Sequence, residues 1–151
     1  MRLSQKVLLF LLRISLGWLM FYAGIAKVFD SDWSAGGYLI GAQTFSGFYL
    51  WLAGPQILPV INFVNAWGPI LLGVSLLVGL LVQVSAPFGV LMMLLYYFPI
   101  LNFPKVGDHS FLVDEHIIYA IALTVLAVFK SGEFWGLDGL LYKRNKAELG
   151  N

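Results

Sequence analysis

The residues best placed to do chemistry stand at the start of one segment, VDEHIIYAIALTVLAVFK, from Val113 to Lys130. Asp114, Glu115 and His116 come directly before an unbroken apolar run. A carboxylate at a helix N-terminus is favoured by the helix dipole, and an imidazole exchanges protons near neutral pH. Lys27, at the far end of an earlier apolar run, is the cation these charges would face. Tyr22 lies on the same run as Lys27, and Tyr119 lies four residues after Glu115, on its helical face. Lys27, Glu115, His116, Tyr22 and Tyr119 therefore form a candidate outer polar pocket, suited to a quinone head-group or a small oxyanion, with His116 as proton carrier. The plainer reading is structural: Asp114 caps a helix, Glu115 pairs with Lys27, and His116 packs near a membrane interface.

A second group is defined by Arg13, seven residues into the apolar stretch that starts at Lys6. A charge in that position costs a few kcal/mol on insertion scales unless it snorkels or finds a partner. Asp138, in WGLDGLL, is the expected partner in a structural ion pair. Lys27 lies fourteen residues beyond Arg13, about 21 Å further along a helix, which puts the two cations at opposite ends of one span. Other chemistries are poorly served. The chain has no cysteine, which removes thiol relays, thiolate metal sites and iron–sulfur ligation. Its two histidines, His109 and His116, are seven residues apart, a weak metal-binding signal, and no metal site is expected. No phosphate-binding glycine motif and no nucleophile–base pattern is present.

The elements that would hold these residues are membrane helices. Hydrophobic residues make up 60% of the 151 and charged residues 11%, where a soluble domain carries roughly 25% charge. Mean hydropathy is +0.83. A net charge of +1 argues against a nucleic-acid partner. Crossing a hydrocarbon core of about 30 Å takes about 20 helical residues, and four stretches approach that length: about 6–29, 60–82, 86–103 and 113–130. Pro99 should kink or end the third. QVSA, Gln83 to Ala86, reads as the turn of a hairpin between the second and third. The first stretch is too long for a cleaved signal and carries Arg13. None of the stretches holds a carboxylate below its mouth, which argues against a proton-coupled exporter.

Lysine and arginine set the expected orientation. Arg2, Lys6, Lys143, Arg144 and Lys146 make both ends basic, while Asp30, Asp32, Asp108, Asp114 and Glu115 make the long loops acidic. The expectation is an all-α, four-helix transmembrane bundle in the cytoplasmic membrane, with both termini cytoplasmic. Between the first two spans, Ser31 to Pro55 is mostly apolar, with Tyr38, Ala42, Phe45, Tyr49 and Leu52 on one helical stripe. This reads as an interfacial or re-entrant segment, or more simply as an aromatic belt. A transmembrane domain over 1–142 and a solvated cytoplasmic tail over 143–151 complete the outline. Gly17 and Gly24, and the step from Ser75 to Gly79, are small residues that let helices approach.

Arg13 followed by GWLMFYAGIAK, then WGPILLGVSLLVGL at Trp67 to Leu80, then DEHIIYAIALTVLAVFKSGEFWGLD at Asp114 to Asp138, together resemble the DoxX family. That family includes the DoxD-type membrane subunit of thiosulfate:quinone oxidoreductase. The resemblance spans nearly the whole chain and implies a four-helix transmembrane bundle. It implies a membrane subunit of a quinone-linked, sulfur-compound oxidoreductase, or alternatively a non-catalytic assembly, accessory or anchoring protein. Expected partners are the lipid bilayer, another oxidoreductase subunit and, as an open option, further copies of the chain. No covalent cofactor is expected, and a quinone is the candidate ligand. Relatives carry an acidic residue in an NEWG pattern, where this chain has NAWG, with Ala66 in that place.

Overall fold

The computed structural model describes residues 1–149 and is mainly helical. Helix α1 (Leu3–Phe29) leads to two short helices, α2 (Gly36–Ile40) and α3 (Ser46–Leu52); α4 (Leu58–Val78) and α5 (Val82–Ile100) follow. A small antiparallel sheet of β1 (Leu101–Asn102), β2 (Lys105–Val106) and β3 (Ser110–Phe111) precedes α6 (Glu115–Val128). A 3₁₀ turn at Ser131–Glu133 and α7 (Leu137–Leu149) close the described chain. In the sheet, Leu101 pairs with Val106, and Val106 with Ser110. The all-α expectation missed it because two-residue strands are too short to show an alternating pattern.

Three helices, α1, α4 and α5, are long and apolar enough to cross a membrane. The fourth expected span, 113–130, is helical over only 14 residues, about 21 Å, against a core of about 30 Å. Its start is set by Asp114, whose carboxylate accepts from the backbone N–H groups of His116 and Ile117 at 3.1 and 3.3 Å. It ends before Lys130, which adopts a left-handed φ of 50°. Helix α1 packs along α4, and α5 along α6. Leu16, Met20, Leu76, Met93, Leu123 and Leu126 fill the space between them. The outward faces carry large apolar side chains, including Trp18, Leu71, Phe88 and Ile121. On a water-soluble protein such a surface would be an aggregation site; against acyl chains it is the expected one.

The contact between α1 and α4 is set by glycine. A Cβ added at Gly73 would lie 2.5 Å from the Phe21 backbone nitrogen and 2.7 Å from the Gly17 carbonyl oxygen. At Gly24 it would lie 2.7 Å from the Ala66 carbonyl oxygen. Ser75 and Gly79 do something else. Gly79 takes a left-handed φ of 69° and closes α4, its N–H donating to Ser75 O at 2.9 Å. The Ser75 hydroxyl bonds that of Ser85 at 2.6 Å across the hairpin. The turn therefore falls at Gly79–Leu81, and Gln83 to Ala86, expected as the connection, lie in the first turns of α5.

The segment after α1 is not one amphipathic stripe. Phe45 has a left-handed φ of 54° and separates α2 from α3. Ala42 and Tyr49 are buried with Ala35 and Leu39 over Leu58, Ile61 and Phe98, while Phe45 faces outward. The segment thus forms a small cap with its own core. At the other end α7 continues through position 143 to Leu149, so the tail boundary drawn there coincides with no element boundary. Gly150 and Asn151, the last residues of that expected tail, lie outside the described residues.

Candidate functional site

Proline determines which backbone carbonyls are free to hold polar side chains. Pro69 lies inside α4 and has no N–H, so the Asn65 carbonyl four residues earlier loses its helical partner. The Lys27 ammonium, coming from the last turn of α1, donates to that carbonyl at 3.2 Å. Pro99 likewise frees the Leu95 carbonyl in α5, and the Tyr49 hydroxyl donates to it at 3.0 Å. The Tyr38 hydroxyl donates to the next carbonyl, that of Tyr96. Two prolines thus dock Lys27 and the α2–α3 cap onto the same end of the bundle.

The result is a cavity of ≈ 430 Å³. Lys27, Trp33, Tyr96, Glu115 and His116 line it, with the Tyr96 and His116 rings 6.0 Å apart edge to face. Ser34, Ala35, Tyr38, Asn65 and Ile100 complete the wall. Lys27 Nζ lies 5.0 Å from the centre of the Trp33 ring and 5.4 Å from that of Tyr96, which gives cation–π attraction in place of part of its hydration. The Tyr96 hydroxyl is buried and has no hydrogen-bond partner among the described residues. The Asn62 side-chain oxygen accepts from Ala35 N at 2.9 Å and anchors the start of α2 beside the cavity.

His116 Nδ1 lies 2.6 Å from Asp114 Oδ2. An ionised carboxylate only accepts, so Nδ1–H donates and Nε2 is left to take or give a proton. Among the described residues no carboxylate lies within 4.0 Å of the Lys27 ammonium. Glu115 therefore does not pair with Lys27, contrary to the structural reading. Lys27 is satisfied by a carbonyl and two rings, which leaves N–H donors for a ligand. Asp114, Glu115 and His116 each bring a ligand-type atom within 4.8 Å of the others, a grouping that helix capping and the Asp114–His116 bond account for.

Of the five expected pocket residues, Lys27, Glu115 and His116 come together. Tyr22 does not: it is 63% exposed on the outward face of α1. Tyr119 turns inward and packs against the main core. The exposed His109 lies in the turn before β3 and takes no part. Ala66, where relatives carry an acid, is buried against Gly24 and lines no part of the cavity; its neighbour Asn65 does. Trp33, Tyr38 and Tyr96 went unrecognised as site residues. Pro99 marks only the Leu95 carbonyl, the acceptor of Tyr49; nothing in the sequence marks the Tyr96 carbonyl that Tyr38 bonds.

At the opposite end Arg13 is fully buried. Its Nη1 donates to Ser131 O at 2.5 Å and Phe134 O at 3.2 Å, and its Nη2 to Trp135 O at 3.2 Å. The Phe10 ring lies 5.4 Å from the guanidinium carbon. The expected ion pair with Asp138 is absent. The Asp138 carboxylate accepts from Leu81 N at 2.8 Å and Val82 N at 3.2 Å, and so caps α5. Both residues are structural and share one corner, but a fork of five donors is better matched by several carbonyls than by a carboxylate already occupied by two N–H groups.

No curated protein and no solved structure matches the chain. The DoxX family model matches residues 8–100, well over half of the chain, from the first turns of α1 to the end of α5. With three helices of spanning length in the order the motifs require, this integral membrane protein belongs to the DoxX family.

Proposed function

We propose that the chain is a membrane subunit of a quinone-linked oxidoreductase, and that the cavity at the Lys27 end receives the quinone head-group. The observation that carries this reading is a desolvated ammonium with spare donors, flanked by Trp33 and Tyr96, in one cavity with His116, whose Nδ1 bonds Asp114 behind it. Lys27 would hold a ring oxygen, the aromatic rings would pack against the ring face, and His116 would exchange the proton. Asp114 would hold the imidazole and stabilise its charged form. Reduction of a quinone needs two electrons and two protons, and no residue of this chain carries electrons. They would come from a partner subunit that oxidises a small reduced compound, a sulfur compound being the class the family resemblance suggests. The site would face away from the cytoplasm, with both termini cytoplasmic and the protein in the cytoplasmic membrane.

The test uses the full chain in lipid nanodiscs, titrated with a tail-less dimethoxy-methyl-benzoquinone while tryptophan fluorescence is followed. Saturable quenching is expected, with Lys27→Met weakening it at least tenfold. In the assembled complex His116→Gln should bind the quinone but lose its reduction. The alternative, a non-catalytic assembly protein, is favoured by the lack of any electron carrier in the chain. It would be upheld if Lys27→Met and His116→Gln left the partner's activity intact.

A further inference from the structure

Beside the polar cavity lies a second, smaller one of ≈ 100 Å³. The two share Ala35, Tyr38, Asn65 and Tyr96, so these residues form a common wall between them. On its far side the small chamber is apolar, lined by Leu39, Leu52, Ile61 and Met92 beneath the α2–α3 cap. It reaches the outside of the molecule between α4 and α5, where Val64 and Leu95 also line it while being 47% and 37% exposed. Val64 lies about 9 Å along α4 from Leu58, and Leu95 about 7.5 Å along α5 from Ile100. The opening therefore meets acyl chains rather than water.

Size separates the roles of the chambers. A cavity of roughly 150 Å³ holds a benzene ring. The ≈ 100 Å³ chamber is too small for a second ring and has volume for a short piece of chain, while the ≈ 430 Å³ cavity has volume for a substituted ring. We infer that the ligand of this site is a lipid-tailed amphiphile, its polar ring at Lys27 and the first part of its apolar tail running past Tyr38 and Tyr96, out between Val64 and Leu95. The inference rests on the head-group reading above and adds the tail, its path and lateral access from the membrane. Tyr38, whose hydroxyl bonds the Tyr96 carbonyl, stands where head and tail divide and is the specificity-determining residue for that junction.

The experiment compares two probes in nanodiscs: the tail-less benzoquinone and the same ring carrying two isoprenoid units. Wild-type chain should bind the tailed probe at least tenfold more tightly. Val64→Phe and Leu95→Phe, which narrow the chamber from the lipid side, should reduce that preference below threefold and leave tail-less binding unchanged. Val74→Phe, equally lipid-exposed on α4 but away from the chamber, should behave as wild type. An arm that needs no variant uses a diazirine on the first isoprenoid unit, with labelling expected on α4 near Val64 or α5 near Leu95. If both phenylalanine variants keep the full preference, or labelling falls only on other helices, the tail path is wrong and the head-group site stands. If wild type binds neither probe saturably, both readings fall together.

Discussion

At the scale of single residues, the molecule holds its buried cations with carbonyl groups rather than carboxylates. Arg13 bonds three backbone oxygens in a loop where Lys130 and Trp135 adopt left-handed φ of 50° and 52°. Such backbone costs about 1–2 kcal/mol per residue, and charged hydrogen bonds of about 1.5–3 kcal/mol each offset it. Arg13→Met should therefore destabilise the fold by several kcal/mol, read as a drop of many degrees in detergent thermal unfolding. Arg13→Lys, which lacks the planar fork, should recover only part of it. Tyr38 supplies a pH signature. Burial of its hydroxyl, with the nearby Tyr49 and the charges of Asp114 and Glu115, pushes its pKa well above the ordinary tyrosine value. A raised folded pKa means the folded state holds its proton where the unfolded chain has released it. The Tyr38 contribution is complete below about pH 10 and is lost as pH rises beyond it. Tyr38→Phe should be less stable at neutral pH but show a shallower loss above pH 10 in a pH series of unfolding midpoints.

At the scale of elements, close helix contact and proline-freed carbonyls do most of the positioning. Gly73 brings α4 so near to α1 that its place admits no side chain, because the neighbouring atoms are backbone and cannot turn aside. Gly73→Ala should destabilise by about 1–3 kcal/mol or more. It should also weaken head-group binding, because Lys27 comes from α1 and its acceptor Asn65 from α4. Thermal unfolding and quenching titrations on one preparation check both effects. Much at this scale could be read from the chain. Three spans, their order and the breaking effect of Pro99 followed from composition and periodicity. The α4–α5 turn was misplaced by several residues because the uncharged QVSA looked more loop-like than GLL, whereas a left-handed Gly79 and a cap from the distant Asp138 decide where α5 begins.

At the scale of the whole molecule, polar chemistry is segregated to the two ends of an apolar body. The Arg13 end is covered by the 3₁₀ turn and α7; the Lys27 end is covered by the α2–α3 cap and the small sheet, beside the ≈ 430 Å³ cavity. Four crossings, with α6 as a short fourth, would put both termini on one side. Reporter tags at residue 1 and residue 151 in the native membrane should be protected from an external protease together and cleaved together after permeabilisation. Opposite behaviour would reduce the crossings to an odd number and detach α6 from the role of a span.

By itself the sequence determined the solvent, three of the four spans expected from it, the placement of Arg13 and Lys27 at opposite ends of α1, and the meeting of Lys27 with Glu115 and His116. These follow from length, rise per residue and the cost of charge in hydrocarbon, all local properties of the chain. Only the tertiary structure decided the partners: Arg13 to carbonyls rather than Asp138, Lys27 to Asn65 rather than Glu115, Tyr22 outward, Tyr119 inward, and Trp33, Tyr38 and Tyr96 around the cavity. The physical reason is that a buried donor takes whichever acceptor the packing leaves unpaired. Which carbonyls a proline has freed, and which side chains can reach them, depends on helix rotation and on contacts between segments far apart in the chain.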